Sequence, residues 1–144
     1  MIETLEGDHN ANGLRFGVVV SRFNDFITSN LLTGALEGFK ESGVNETALK
    51  ILKVPGAFET PQAAKKMCST ERFDAVVCLG AVIRGDTPHF DYICTETSRG
   101  IGQVGMDFNI PVLFGVLTTD NLEQAVERSG AGSSNKGRET ALAA

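Results

Sequence analysis

Near the middle of the chain, the stretch GAVIRGDTPHFDYI (Gly80 to Ile93) stays apolar as far as Ile83. It then breaks into Arg84, Gly85, Asp86, Thr87, Pro88 and His89. These residue types can hold an anion and move a proton. Gly85 followed by Asp86 and Thr87 at the mouth of a helix can turn backbone N–H groups toward a negative group, with the Thr87 hydroxyl beside them. His89 then lies within a few residues of that anion and can shuttle protons near neutral pH. A lone histidine is more often structural. Here its company of arginine, glycine and threonine at a strand's end points to chemistry. His9, in a polar N-terminal segment, reads as a solvated bystander.

Other loops carry groups suited to a polar, ring-bearing ligand. In Ser21-Arg22-Phe23-Asn24, Phe23 can stack on a heterocycle and Asn24 offers both donor and acceptor. The competing reading makes Phe23 a lid over its own core. In Val54-Pro55-Gly56-Ala57-Phe58-Glu59, Gly56 lets backbone approach a ligand closely. Glu59 can accept from hydroxyls, or simply complement a helix N-terminus. Thr118-Thr119-Asp120 forms a fourth candidate loop. Two residues do not fit a site built within one subunit. Arg128 falls seven residues past Asn121, about 10 Å of helix rise from the mouth, and Phe114 lies near the wrong end of its strand. If either meets a ligand, it does so in a neighbour's site. Otherwise Arg128 is a cation favouring a helix C-terminus, and Lys136 a solvated residue starting the last helix.

The elements that must position these groups alternate. Leu14–Val20 (LRFGVVV) reads as a strand. Leu31, Leu32, Ala35, Leu36 and Phe39 recur at helical spacing and predict a helix over Thr28–Ser42, with Gly43 just past its end. Leu49–Val54 is a second strand, broken by Pro55-Gly56. Thr60-Pro61 predicts a helix start, with threonine as N-cap and proline at the first helical position. Phe73–Ile83 is nearly continuous in apolar residues, as a strand covered on both faces would be. A helix over Asp91–Asp107, a strand over Pro111–Leu117, a helix over Leu122–Ser129 capped from residues 118–121, a break at Gly130–Ser134 and a last helix over Lys136–Ala144 complete the chain. Such alternation predicts a flavodoxin-like α/β three-layer sandwich: a four-stranded parallel sheet with helices on both faces. In an open sheet of this kind, ligands bind beyond the carboxyl ends of the strands. The N-terminal arm, residues 1–13, can add an edge strand to its own sheet or to a neighbour's, and residues 14–144 form the core of one domain.

Composition narrows the function classes. The chain has 144 residues, 42% apolar and 22% charged, with a net charge of −5 and scattered Lys and Arg. No basic face is offered to nucleic acid or to an anionic membrane. The arm carries no basic-plus-apolar signal segment, and no apolar run approaches the ~20 residues of a membrane helix, so the cytosol is the expected location. Cys68, Cys78 and Cys94 match no metal motif, and Cys78 is expected in the core as a reduced thiol. The histidines are far apart, and no metal site is expected. The GxGxxG at Gly100–Gly105 falls within a helix, not after a strand, and is rejected as a dinucleotide fingerprint. There is no phosphate-binding loop of the Walker type. Three classes remain: an enzyme handling a phosphorylated small molecule, a flavin- or nucleotide-binding module, and a signalling receiver. The receiver lacks its clustered acids at Ser21-Arg22-Phe23 and falls.

The motifs SRFNDFIT, VPGAFE, GAVIRGDTPHFDYI, FGVLTTDNLEQAVER and NKG, in that order from about Gly13 to the end, resemble the 6,7-dimethyl-8-ribityllumazine synthase family. The resemblance implies condensation of 5-amino-6-(D-ribitylamino)uracil with 3,4-dihydroxy-2-butanone 4-phosphate, releasing phosphate and water, with no metal or organic cofactor. It implies that Phe23 stacks on the pyrimidine ring and that Ala57, Phe58 and Glu59 contact the ribityl chain. Ala81, Val82 and Ile83 would hold the pyrimidine, Asp86 and Thr87 the phosphate, and His89 would transfer protons. Phe114 and Arg128, with Lys136 nearby, would come from a neighbouring subunit. The family assembles as pentamers, pairs of pentamers or sixty-subunit capsids, and the lack of an insertion between Arg128 and Lys136 permits a capsid. Three departures stand out. Asp86 replaces a small or neutral residue, and a carboxylate beside phosphate must turn away. The loop Ser129–Ser134 lacks a threonine and a lysine usual there. The last helix stops at Ala144, some turns short of the family's, which predicts a weakened interface or a truncated chain. Two alternatives keep the fold: an archaeal-type riboflavin synthase, and a non-catalytic flavin- or lumazine-binding carrier or shell protein.

Overall fold

The computed structural model describes residues 1–132 and 134–144. The strands are β1 (Phe16–Ser21), β2 (Leu49–Val54), β3 (Ala75–Ile83) and β4 (Val112–Thr119). The helices are α1 (Asp25–Glu41), α2 (Thr60–Ser69), α3 (His89–Phe108), α4 (Leu122–Ser129) and α5 (Lys136–Ala143). All strand pairs are parallel, in the order β2-β1-β3-β4. The chain winds from β1 outward to β2, then crosses back to lay β3 on the other side of β1. The β1–β3 junction is therefore the switch point of the sheet, where the crevice of such a fold opens.

The period of two along a strand feeds two cores. Phe16, Val18 and Val20 of β1 pack with Ile27, Leu31 and Phe39 of α1, Ala125 of α4 and Ala141 of α5. Val19 points the other way, toward Ala64 and Met67 of α2 and Ile101 and Val104 of α3. Strands β1 and β3 are buried almost throughout because both faces are covered, which accounts for their unbroken apolar composition. Each fully buried Val or Leu contributes about 1.5–3 kcal/mol by leaving water. Cys78 is fully buried, and burial pushes its thiol up to about 12, so it is inert near neutral pH. All three cysteines are free thiols.

Several boundaries differ from the sequence expectation. Helix α1 begins three residues earlier, at Asp25, because Asn24 takes a left-handed turn (φ 63°) that starts the helix at once. Asparagine tolerates that conformation better than most residues. Thr60 is not the N-cap of α2 but its first residue: a 3₁₀ turn over Ala57–Glu59 precedes it, and its hydroxyl donates to Ala57 O at 2.7 Å. Asn121 caps α4, accepting from Gln124 N. Residues 1–13 add no strand to this sheet, so the edge-strand role survives only toward a neighbour. No described helix is long and apolar enough to cross a membrane.

Candidate active site

Beyond the carboxyl ends of β1 and β3 the surface opens into a cavity of 530 Å³. It holds Phe23 and Asn24 from the β1–α1 loop, and Ala57, Phe58 and Glu59 from the turn after β2. Ala81, Val82 and Ile83 at the end of β3 form its floor, and Gly85, Thr87 and His89 lie toward α3. Three of the four loops read from the sequence thus meet at the switch point.

Local backbone bonds explain the convergence. Past β1, Arg22 N donates to Val54 O at 2.8 Å and Phe23 N to Pro55 O at 3.0 Å, so the loops after β1 and β2 travel as one. Asn24 ties the third, donating its side-chain amide to Ala81 O at 3.0 Å. That bond engages one of the groups Asn24 was expected to offer a ligand, and makes the residue a strut across the switch point. Glu59 is similarly part-engaged. Its Oε1 accepts from Gly56 N at 2.8 Å, and among the described residues its second oxygen has no hydrogen-bond partner. Phe23 and Phe58 are 71% and 51% exposed, so Phe23 is no lid over its own core. Two exposed aromatic faces on one apolar cavity suit a planar ring.

His89 is the first residue of α3, which runs 20 residues. The N–H groups of a helix's first turn have no intrahelical partner and carry its positive pole. Gly85 and Thr87 reach the cavity with it; Asp86, exposed, is absent from the lining. Arg84 turns elsewhere. Its Nε meets Asp120 at 3.0 Å, its Nη1 lies 3.6 Å from Asp91, and its guanidinium stacks over Phe90 at 4.4 Å. The Asp120 hydrogen bond holds the Arg84 guanidinium above its usual range, so it stays charged and committed to joining the end of β3 to α3 and to the loop between β4 and α4.

The fourth loop does not join this cavity. β4 lies beyond β3, away from the switch point. Thr118 and Thr119 instead line a separate 340 Å³ cavity with Phe114, Arg128, Ser134 and Lys136. The residues that sequence reasoning could not fit to a single-subunit site are therefore brought together, but at a different place. Arg128 Nη1 donates to Gln124 O at 3.1 Å, and Lys136 Nζ lies 3.3 Å from Glu139. The loop difference at 129–134 includes Ser133, which lies outside the described residues.

Sequence reasoning missed Phe90 and Ile93 in the first cavity, and Ser134 and Glu139 in the second. Ile93 was findable: once His89 starts the helix, a residue four on shares its face. Phe90 follows from no comparable spacing. Among the described residues, no three His, Cys, Asp or Glu side chains gather as a metal site.

A parallel α/β sandwich with a ring-sized apolar cavity at its switch point, edged by a helix N-terminus, defines a small-molecule-binding protein of the flavodoxin-like fold. The comparisons with known proteins make this particular. Residues 13–144 match the profile of the 6,7-dimethyl-8-ribityllumazine synthase family. Two proteins from strains of Clostridium kluyveri, each named 6,7-dimethyl-8-ribityllumazine synthase, are 55% identical over 143 residues, covering 99% of this chain and 93% of each relative. The chain belongs to the 6,7-dimethyl-8-ribityllumazine synthase family.

Proposed function

We propose that this enzyme condenses 5-amino-6-(D-ribitylamino)uracil with 3,4-dihydroxy-2-butanone 4-phosphate to give 6,7-dimethyl-8-ribityllumazine, phosphate and two waters. Family membership carries this reading, and the switch-point cavity supports it. The ring amine attacks the ketone and water leaves, giving an imine. Phosphate is eliminated, the enol tautomerises, and the ribityl-bearing nitrogen closes the ring with loss of the second water. Such steps need an anion clamp and proton transfer more than a strong nucleophile.

Phe23 stacks on the pyrimidine, with Ala81, Val82 and Ile83 beneath it and Asn24 beside it. Ala57, Phe58 and the free oxygen of Glu59 take the ribityl chain. The Gly85–Thr87 turn holds the phosphate through backbone N–H groups and the Thr87 hydroxyl. Asp86 contributes backbone only, since its carboxylate would repel the anion. His89 transfers protons. Phe114, Arg128 and Lys136 complete the site of the adjacent subunit, Arg128 toward the phosphate. The test is the rate of lumazine formation, followed by absorbance, against an enzyme-free mixture. Substituting His89→Ala is expected to cut kcat about tenfold, below the ~10²-fold minimum for general acid–base catalysis, because the exposed residue can be partly replaced by water. An unchanged kcat would remove His89 from the mechanism.

The working unit is a homo-oligomer, a pentamer at minimum, in the cytoplasm, where three free thiols are at home. Strand β2 is one of the sheet's two edges, with Ile51 and Leu52 exposed at 44% and 39%. Arg15, Lys50, Lys66 and Arg72 line a cavity beside it. The arm carries Glu3, Glu6 and Asp8 with exposed Ile2 and Leu5, the complement in charge and apolarity. The arm of one subunit pairs with the β2 edge of the next. Deleting residues 1–13 is expected to shift the assembly toward smaller species in sedimentation, and high salt to do the same more weakly. An unaltered sedimentation profile on deletion would refute the pairing.

A further inference from the structure

We infer that Asn135 is a positioning residue for catalysis, setting Arg128 and Lys136 as one unit through the seam between α1 and α5. This rests on the proposal that the cavity of Phe114, Arg128 and Lys136 forms the phosphate side of a neighbour's site. Asn135 is 3% exposed and uses its side chain in three directions. Its amide donates to Asn30 O in α1 at 3.1 Å and to Ser129 O, the last residue of α4, at 3.0 Å. Its Oδ1 accepts from Arg138 N at 3.0 Å, capping α5. One buried amide thus joins the end of α4, which carries Arg128, to the start of α5, which carries Lys136, and pins both to α1.

The surroundings are shaped for this amide. Gly34 of α1 lies directly against it, and a methyl there would collide with the Asn135 carboxamide. Gly137 lets the first turn of α5 reach the Leu31 carbonyl of α1. Neither cation has another anchor of this kind. Arg128 bonds only its own helix and Glu127, and Lys136 only Glu139, among the described residues. Both side chains are substantially exposed, so their placement over the cavity depends on the backbone that carries them. Asn135 fixes that backbone.

The test compares steady-state kinetics of wild type with Asn135→Ala, Asn135→Ser, Arg128→Ala and Arg138→Ala. Serine keeps the helix cap but cannot reach Asn30 or Ser129, and it serves where alanine leaves too little folded enzyme. Arg138→Ala breaks the Arg138–Glu41 contact across the same seam while leaving Asn135 in place, and so reports general loosening. The expected result is a rise of about tenfold in KM for the butanone phosphate in the Asn135 variants, with KM for the ribitylaminouracil within about twofold of wild type. Arg138→Ala is expected to lower Tm without that split. Equal changes in both KM values, or the same split in Arg138→Ala, overturn the positioning role. If Arg128→Ala raises the phosphate-substrate KM and the Asn135 variants do not, the inference falls while the proposed site stands. If Arg128→Ala leaves it unchanged, the phosphate reading of the cavity falls and takes the inference with it.

Discussion

Replacing Arg128 by alanine is expected to lower kcat/KM for the butanone phosphate by about a thousandfold, equivalent to about 4 kcal/mol of transition-state stabilisation. Hydrogen bonds to charged partners contribute about 1.5–3 kcal/mol each, and a guanidinium can present two at once to phosphate oxygens. Among the described residues only Nη1 of Arg128 is engaged, by Gln124 O and by Glu127 at 3.7 Å, which leaves donors to offer an anion. Phosphate is the leaving group, so charge on its oxygens grows as the C–O bond breaks, and the loss falls on kcat as well as KM. Arg128→Lys restores the charge but not the fork and is expected to recover only part of the rate. Initial rates at saturating ribitylaminouracil measure this directly. A variant within about twofold of wild type would remove Arg128 from the site.

The second large effect concerns folding. Substituting Gly137→Ala is expected to cost about 3 kcal/mol and to lower Tm by about 10 °C, if the protein accumulates at all. A methyl at this position would intrude on Leu31 O, Leu31 C and Leu31 Cα, which are backbone atoms that no rotamer change can move. Relief requires lifting α5 off α1, which would expose Leu31, Ala35 and Ala141 and break the hydrogen bonds of Asn135. Position 34 provides a contrast, because a methyl there meets the Asn135 carboxamide, a side-chain group that can turn away at the cost of its hydrogen bonds, rather than backbone. Gly34→Ala is therefore the milder substitution, and thermal melts of the two proteins side by side rank them. Equal Tm values for Gly137→Ala and wild type would mean the seam is looser than its geometry.

The layers of this fold were legible because hydrophobic pattern reports burial directly. A continuous run such as AVVCLGAVI has no polar face to give to water, so it must be a central strand. Helix ends are legible where residue type settles the local geometry, as in the side-chain cap of Asn121 and the left-handed backbone of Gly43. They were misread where backbone decided, as at Asn24 and Thr60. The site was legible in parts for the same reason. Gly85, Thr87 and His89 advertise their chemistry by type, and β-sheet topology sent them to one end. Asn24 and Glu59 illustrate the limit. Their residue types suggested ligand contacts, yet each makes a structural bond whose partner, Ala81 O or Gly56 N, depends on how the loops meet. Arg84 is the clearest case. It stands between an apolar strand and the Gly85–Thr87 turn, and only the positions of Asp91, Asp120 and Phe90 reveal that it serves the scaffold.

The separation of the switch-point cavity from the cavity beside β4 has a consequence for symmetry. The pocket of Phe23 and Phe58 belongs to the β1–β3 mouth, and the pocket of Arg128 and Lys136 belongs to β4 and the ends of α4 and α5. On the proposed reading, the donor patch of one subunit meets a different, receiving patch on the next. Such head-to-tail contacts do not terminate after two copies; they close into a ring or run on without end. Closure at any number gives as many complete sites as subunits, with no half-site left over. An isolated chain would hold both halves of the chemistry and be able to use neither.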